Sequence, residues 1–317
     1  MISINYDDIK DNYYTLVSNT KMTKFNNKTF EQYYNQYIKS KLNNYSLKDI
    51  LIGDYEKLLE IKNSIGTKYN NKNNIIKQFF NYDKALSKNF KPKLSKVQPK
   101  ISKYIESNLD IHTCYFCNID FINKFKENIY KKDNYKNSFT LDHFIDKGTY
   151  PYLALSLYNL IPSCYTCNTK VKGTNPIKTL SPSSTKFDFD EKVKFTTFLN
   201  NKNLEISDED DFELLLKENF SDSYDSFIKV LKLDERYEYH KYKVIELINK
   251  RRDYPDSRIS ELSKITNKTI QEVKQDLFGE YLSDNLHKRP LSKLIKDISE
   301  ELQIIKKEKN GKKLYNK

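Results

Sequence analysis

The sequence predicts an α+β fold in which a small metal-stapled core of short strands sits between two helical regions. Three observations lead there. Apolar residues recur at helical spacing through residues 1–109 and again through 216–317. Strand signals are confined to short stretches near 139–143, 157–162 and 187–206. All four cysteines fall into two Cys-x-x-Cys pairs, Cys114/Cys117 and Cys164/Cys167. A two-residue gap lets both sulfurs of a pair face one ion, so two such pairs are expected to wrap a tetrahedral Zn²⁺.

In chain order, Thr29 and Gln32 have the form of a capping box ahead of Phe30, Tyr33, Tyr34, Tyr37 and Ile38. Ser46 is placed to cap a second helix, with Leu47, Ile50, Leu51, Leu58 and Leu59 on one stripe interrupted by Gly53. A third stripe carries Ile75, Ile76, Phe79, Phe80 and Leu86. These stripes read as core. Residues 91–100, with Pro92, Pro99 and four lysines, read as a connector to a short helix over 101–109.

The core spans 110–176. Its cysteine pairs are 164 − 117 = 47 positions apart, too far for a simple zinc ribbon, so the ion is expected to staple the base of an insert. That insert begins with a polar stretch, 118–138, read as a strand or short helix followed by a loop. It also carries Asp142-His143, a carboxylate beside an imidazole, and Asn168 follows the last cysteine. A helix over 167–172 is expected to stop at Gly173. Residues 177–215 read as a small β extension of the core, with strands at 187–190, 193–199 and 204–206. Helices return over 216–317 and end in a basic tail. His240, on an apolar helical face, reads as a core histidine.

The order Cys-x-x-Cys, Asp-His, Asn, Cys-x-x-Cys-Asn-x-Lys, residues 110–176, resembles the four-cysteine branch of the HNH (ββα-metal) endonucleases. The resemblance implies a β-hairpin followed by a short helix, gripping one catalytic Mg²⁺ or Mn²⁺ beside the structural Zn²⁺. It makes His143 the general base, Asp142 and Asn168 ligands of the catalytic ion, and Asn159 the residue that steadies the hairpin loop. Asn168 stands where the family often has histidine, and the proline often found shortly after the base is absent here. The core is also similar to HNH effectors of bacterial anti-phage systems, including the Septu type, which implies an ATPase partner protein.

The chemistry suits the residue types. An imidazole with a pKa of about 6.5 is a usable base at neutral pH. Carboxylate and amide oxygens are hard ligands for a divalent cation. Lys170 and Lys172 follow within one turn and are expected to contact flanking phosphates of DNA, or of RNA, unless they form a solvated helix face.

Composition bounds the reading. With 38% hydrophobic and 31% charged residues the chain reads as globular, and 317 residues are enough to bury a core. The net charge of +12 favours a polyanionic partner, although Lys- and Asn-rich usage also follows from an AT-rich genome. Neither a signal-peptide pattern nor a membrane-length apolar run is visible, so cytoplasm is the expected compartment. The helical flanks are expected to serve substrate grip, homo-oligomer formation or a partner surface. The competing expectation is a zinc-stabilised nucleic-acid-binding module without cleavage. A homing or restriction enzyme with its own sequence specificity is the third.

Overall fold

The computed structural model describes residues 1–22, 28–71, 74–81, 97–126, 135–200, 205–218, 223–279 and 286–305. The architecture is α+β, with α-helices and, among the described residues, three two-stranded antiparallel ladders. The chain divides into two compact units, Met1–Phe189 and Asp190–Lys317. The helices expected over 1–109 therefore belong to one unit with the cysteine core. Among the described residues no helix is long and apolar enough to cross a membrane.

In the first unit the helices are α1 (Lys10–Ser18), α2 (Phe30–Tyr33), α3 (Leu47–Ile52), α4 (Tyr55–Ile65), α5 (Ile75–Phe80) and α6 (Val97–Asn108). The Thr29/Gln32 capping box closes in both directions, and α2 runs on as a π-helical turn, Tyr34–Ile38. Ser46 caps α3 as expected. Gly53 then separates α3 from α4, because a Cβ there would lie 2.3 Å from the Asp49 carbonyl oxygen, and Asp54 caps the second helix. The expected connector over 91–100 needs correction at its end: Val97 through Lys100 already belong to α6. Leu86 and residues 91–96 lie outside the described residues, as does the basic tail from 306 onward.

Three ladders follow the topology of the sequence. β1 (Lys124–Lys126) pairs with β2 (Tyr135–Asn137). The loop expected between them, at 127–134, lies outside the described residues. β3 (Thr140–His143) pairs with β4 (Leu160–Ser163), with Asp142 opposite Ile161 and His143 opposite Leu160. A π-helical turn, Thr166–Lys172, comes directly after β4 and ends at Gly173, whose φ of +51° favours glycine.

The N-terminal helices brace the loop between β3 and β4. Tyr13 donates from its hydroxyl to the Leu155 carbonyl at 2.7 Å, Tyr152 to that of Gly66 at 2.9 Å, and Tyr158 to Asp7 at 2.9 Å. The Tyr6 hydroxyl reaches the Leu160 carbonyl and the Ser156 hydroxyl that of Ile50. Each of these tyrosines is an apolar body whose hydroxyl ends on a carbonyl or carboxylate across the interface of helices and loop.

The second unit contains β5 (Val193–Leu199) paired with β6 (Phe212–Glu218), from Val193 opposite Glu218 to Leu199 opposite Phe212. Two strand expectations are corrected here. Phe189–Lys192 is a helical turn, α7, and not a strand, while Glu205 and Ile206 are not in a strand and Leu204 lies outside the described residues. The hairpin falls within the second unit. The helices are α8 (Asp225–Leu231), α9 (Leu233–Tyr237), α10 (Lys241–Asp253), α11 (Asp256–Thr266), α12 (Ile270–Phe278) and α13 (Ser292–Glu301). Asp297 on α13 accepts from the Phe195 amide at 2.9 Å and pairs with the fully buried Lys293 at 2.7 Å. His240, expected in the core, is half-buried between the rings of Tyr237 and Tyr242.

Candidate metal centre and active site

The cysteine cluster is built from two turns. In the first, the Asn118 amide donates to the Cys114 carbonyl at 2.8 Å, and Asn118 takes a left-handed φ of +54° that lets the chain turn back under its own sulfurs. The Asn118 side chain ties down Thr113 at 3.1 Å. The second turn joins the end of β4 to the π-helical turn, where the Cys167 amide donates to Cys164 Sγ at 3.3 Å. The Cys164 amide donates across to Cys114 Sγ at 3.3 Å.

All four Sγ atoms are buried and lie within 4.8 Å of one another, Cys117 and Cys164 at 4.0 Å. A tetrahedral Zn²⁺ at about 2.3 Å from each thiolate needs sulfurs about 3.8 Å apart, so this set fits an ion such as zinc. A disulfide needs about 2 Å. Burial pushes the Cys114 thiol well up, and hydrogen bonding to Cys114 pushes Cys164 up. Thiols in that state give up their protons to a central cation and not to water.

The turn that follows Cys167 helps to line a cavity of about 210 Å³ whose walls include Asp142, His143, Asp146, Lys147, Asn168 and Lys172. The fold thus brings together Asp142 and His143 at the end of β3 and Asn168 from the π-helical turn. Each is held. Asn168 donates its amide N–H to Thr140 Oγ1 at 2.8 Å, which leaves its Oδ1 as the acceptor oxygen. His143 Nε2 is 2.9 Å from the Ala154 carbonyl oxygen. A carbonyl only accepts, so Nε2 carries the proton and Nδ1 the lone pair. Burial, with Lys147 adding to it, pushes the imidazole down to about 3, so it is neutral at ordinary pH.

Asn159 lies at the end of the 3₁₀ turn Leu157–Asn159, just before β4. Fully buried, it accepts from the Ile145 amide at 2.6 Å and donates to the Ile145 and Leu153 carbonyls, both at 3.0 Å. One side chain therefore ties the two ends of the loop after His143. The missing proline has a local counterpart: Pro151 opens a 3₁₀ turn, Pro151–Leu153, that leads to the Ala154 carbonyl.

Lys172 differs from both expectations made for it. It is neither a solvated residue nor an open phosphate contact, being 4% exposed and 2.9 Å from Asp142 Oδ2. Lys170 is exposed, as expected. Burial raises the Asp142 carboxyl, with the Lys172 charge opposing it. Asp142 Oδ2 is out of line for a hydrogen bond despite that distance, and only Oδ1 receives one, at 3.2 Å. The Asp142 carboxylate and the Asn168 amide, both lining the cavity, are of the hard oxygen type that a divalent cation takes, with the Lys172 ammonium as the cation now at Asp142.

Asp146 is a wall residue that the sequence did not single out. Its carboxylate accepts from the Gly148 and Thr149 amides at 3.1 and 2.7 Å, and although burial would raise it, Thr149 and these amides hold it below the usual carboxylate range. The Asp-x-Gly-Thr run was the available signal for that turn. No family model matches the chain, and no curated protein or solved structure matches it either.

Proposed function

We propose that the protein is a metal-dependent endonuclease of the HNH (ββα-metal) kind that hydrolyses phosphodiester bonds in DNA, with Zn²⁺ on Cys114, Cys117, Cys164 and Cys167 as its staple. One observation carries the reading: Asp142, His143 and Asn168 line a single cavity, and Asn168 directly follows the last cysteine of a four-thiol cluster. Asp142 and Asn168 would hold one Mg²⁺ or Mn²⁺, which supplies counter-charge to the phosphate and to the leaving 3′ oxygen.

The chain's own residues do the rest. His143 takes the proton of the attacking water at Nδ1, since Nε2 is committed to Ala154. The Asn159 amide keeps the loop from carrying that carbonyl away. Lys170, exposed on the outer side of the π-helical turn, meets a neighbouring phosphate. A role as an anti-phage or restriction effector, working beside an ATPase partner in the cytoplasm, follows from the same resemblance.

A non-cleaving nucleic-acid-binding module is the second reading, favoured by the Lys172 ammonium that already neutralises Asp142. Plasmid incubated with the protein and Mg²⁺ or Mn²⁺ separates the two. Nicking by the parent and not by His143→Ala supports the enzyme, and equal binding without cleavage by either supports the module.

A further inference from the structure

Lys172 occupies the place a cation on Asp142 would need. Its ammonium lies 2.9 Å from Asp142 Oδ2, 3.2 Å from Oδ1 and 3.3 Å from the His143 carbonyl oxygen. Both side chains are almost closed to solvent, at 5% and 4% exposure. A buried carboxylate requires a counter-charge, and here the protein supplies its own. An ammonium and a divalent cation at one carboxylate repel each other strongly where the dielectric is low. Asp142 therefore serves one of them at a time.

We propose that Lys172 is an internal stand-in for the catalytic cation, displaced when metal and a nucleic-acid phosphate arrive together. The inference rests on the nuclease reading in taking Asp142 as a metal ligand. The contact itself favours exchange, because Oδ2 accepts no aligned hydrogen bond from the ammonium. Lys172 is also the last residue of its π-helical turn, next to Gly173, and its charge rides on a flexible four-carbon stem. Once metal holds Asp142, the ammonium needs a new anion within reach of that stem. The phosphate of a strand seated in the cavity is that anion. Metal alone then binds weakly, and metal and nucleic acid each tighten the other by the same factor. A purely structural ion pair predicts differently: removing the lysine would lower stability and leave metal affinity where it was.

The test measures Mn²⁺ affinity by the electron paramagnetic resonance of the free ion, on zinc-loaded full-length protein. His143→Ala is the background, so that DNA is bound but not cut. A short duplex is added in one arm and omitted in the other. With the lysine present, DNA should tighten Mn²⁺ by about tenfold or more. In Lys172→Met, Mn²⁺ should bind about that much tighter without DNA, and most of the gain from DNA should vanish. Equal or weaker Mn²⁺ binding by Lys172→Met, or no effect of DNA on the protein that keeps the lysine, overturns the proposal. Asp142→Asn separates the two failures. If it abolishes Mn²⁺ binding while Lys172→Met changes nothing, the stand-in role falls and the metal site stands. If it leaves Mn²⁺ binding intact, Asp142 is not a ligand and both fall. Should Lys172→Met not fold, Lys172→Gln keeps an N–H for the His143 carbonyl and is measured the same way.

Discussion

His143 shows how a residue's surroundings change what its type allows. In an unfolded chain its imidazole titrates at about 6.5, whereas burial in the fold pushes it down to about 3. The unfolded state therefore takes up a proton at a pH where the folded state refuses one. Stability attached to His143 is complete above its unfolded pKa and is lost as pH falls through the interval between the two values. Urea unfolding should show roughly 2 kcal/mol less stability at pH 5 than at pH 7 from this residue alone. His143→Asn, which keeps a donor for the Ala154 carbonyl, should flatten that difference. An unchanged pH slope in the variant would mean that the ring is not buried neutral. The same burial keeps the ring unprotonated at neutral pH but lowers its affinity for a proton, whereas a general base works best with a pKa near the working pH.

At the scale of elements, the cysteine cluster joins two turns that also meet through the Tyr115 amide and the Pro162 carbonyl, 3.4 Å apart. The first turn is closed by its own backbone bonds, Cys114 to Asp120 and Ile122 to His112, at 3.0 and 2.8 Å. The second belongs to β4 and the π-helical turn that carries Asn168 and Lys172. A metal on the four thiolates would tighten that junction and, with it, the turn that lines the cavity. Stripping the metal with a strong chelator, or Cys164→Ser, should cost several kcal/mol and disorder the β3–β4 hairpin with its following turn. Loss of one zinc per chain by elemental analysis, together with loss of near-ultraviolet circular dichroism, checks this. Retention of the native signal after complete metal loss would show that packing alone holds the core.

At the scale of the molecule, the division after Phe189 assigns the parts. Every cysteine and every wall of the cavity lies in the first unit. The second has its own core, closed by α13 against β5 through Asp297 and the buried Lys293. A fragment of residues 190–317 should therefore fold and melt cooperatively by circular dichroism, with a midpoint that chelators do not move. A midpoint that shifts with chelator would place part of its stability in the metal centre. In the first unit the helices also support the loop that holds His143: Tyr13 of α1 donates to the Leu155 carbonyl, and the Gly66 carbonyl after α4 accepts from Tyr152 of the loop.

The α+β class, the capping of α2 and α3, the strand at 140–143, the stop at Gly173 and the grouping of the cysteines were legible because each depends on neighbours a few residues away or on a side chain's own chemistry. The pairing of β5 with β6 was not, since the hairpin is chosen by which faces α13 and α9 can cover. Nor was the ion pair of Lys172 with Asp142, because a lysine's sequence context cannot say whether its charge ends in water or against a buried carboxylate. Which residue types are available for a site, the thiols, the imidazole and the hard oxygens, is written in the chain order alone. Which of them face one another is settled by the fold, because burial and counter-charge are properties of a place in the molecule and not of a residue type.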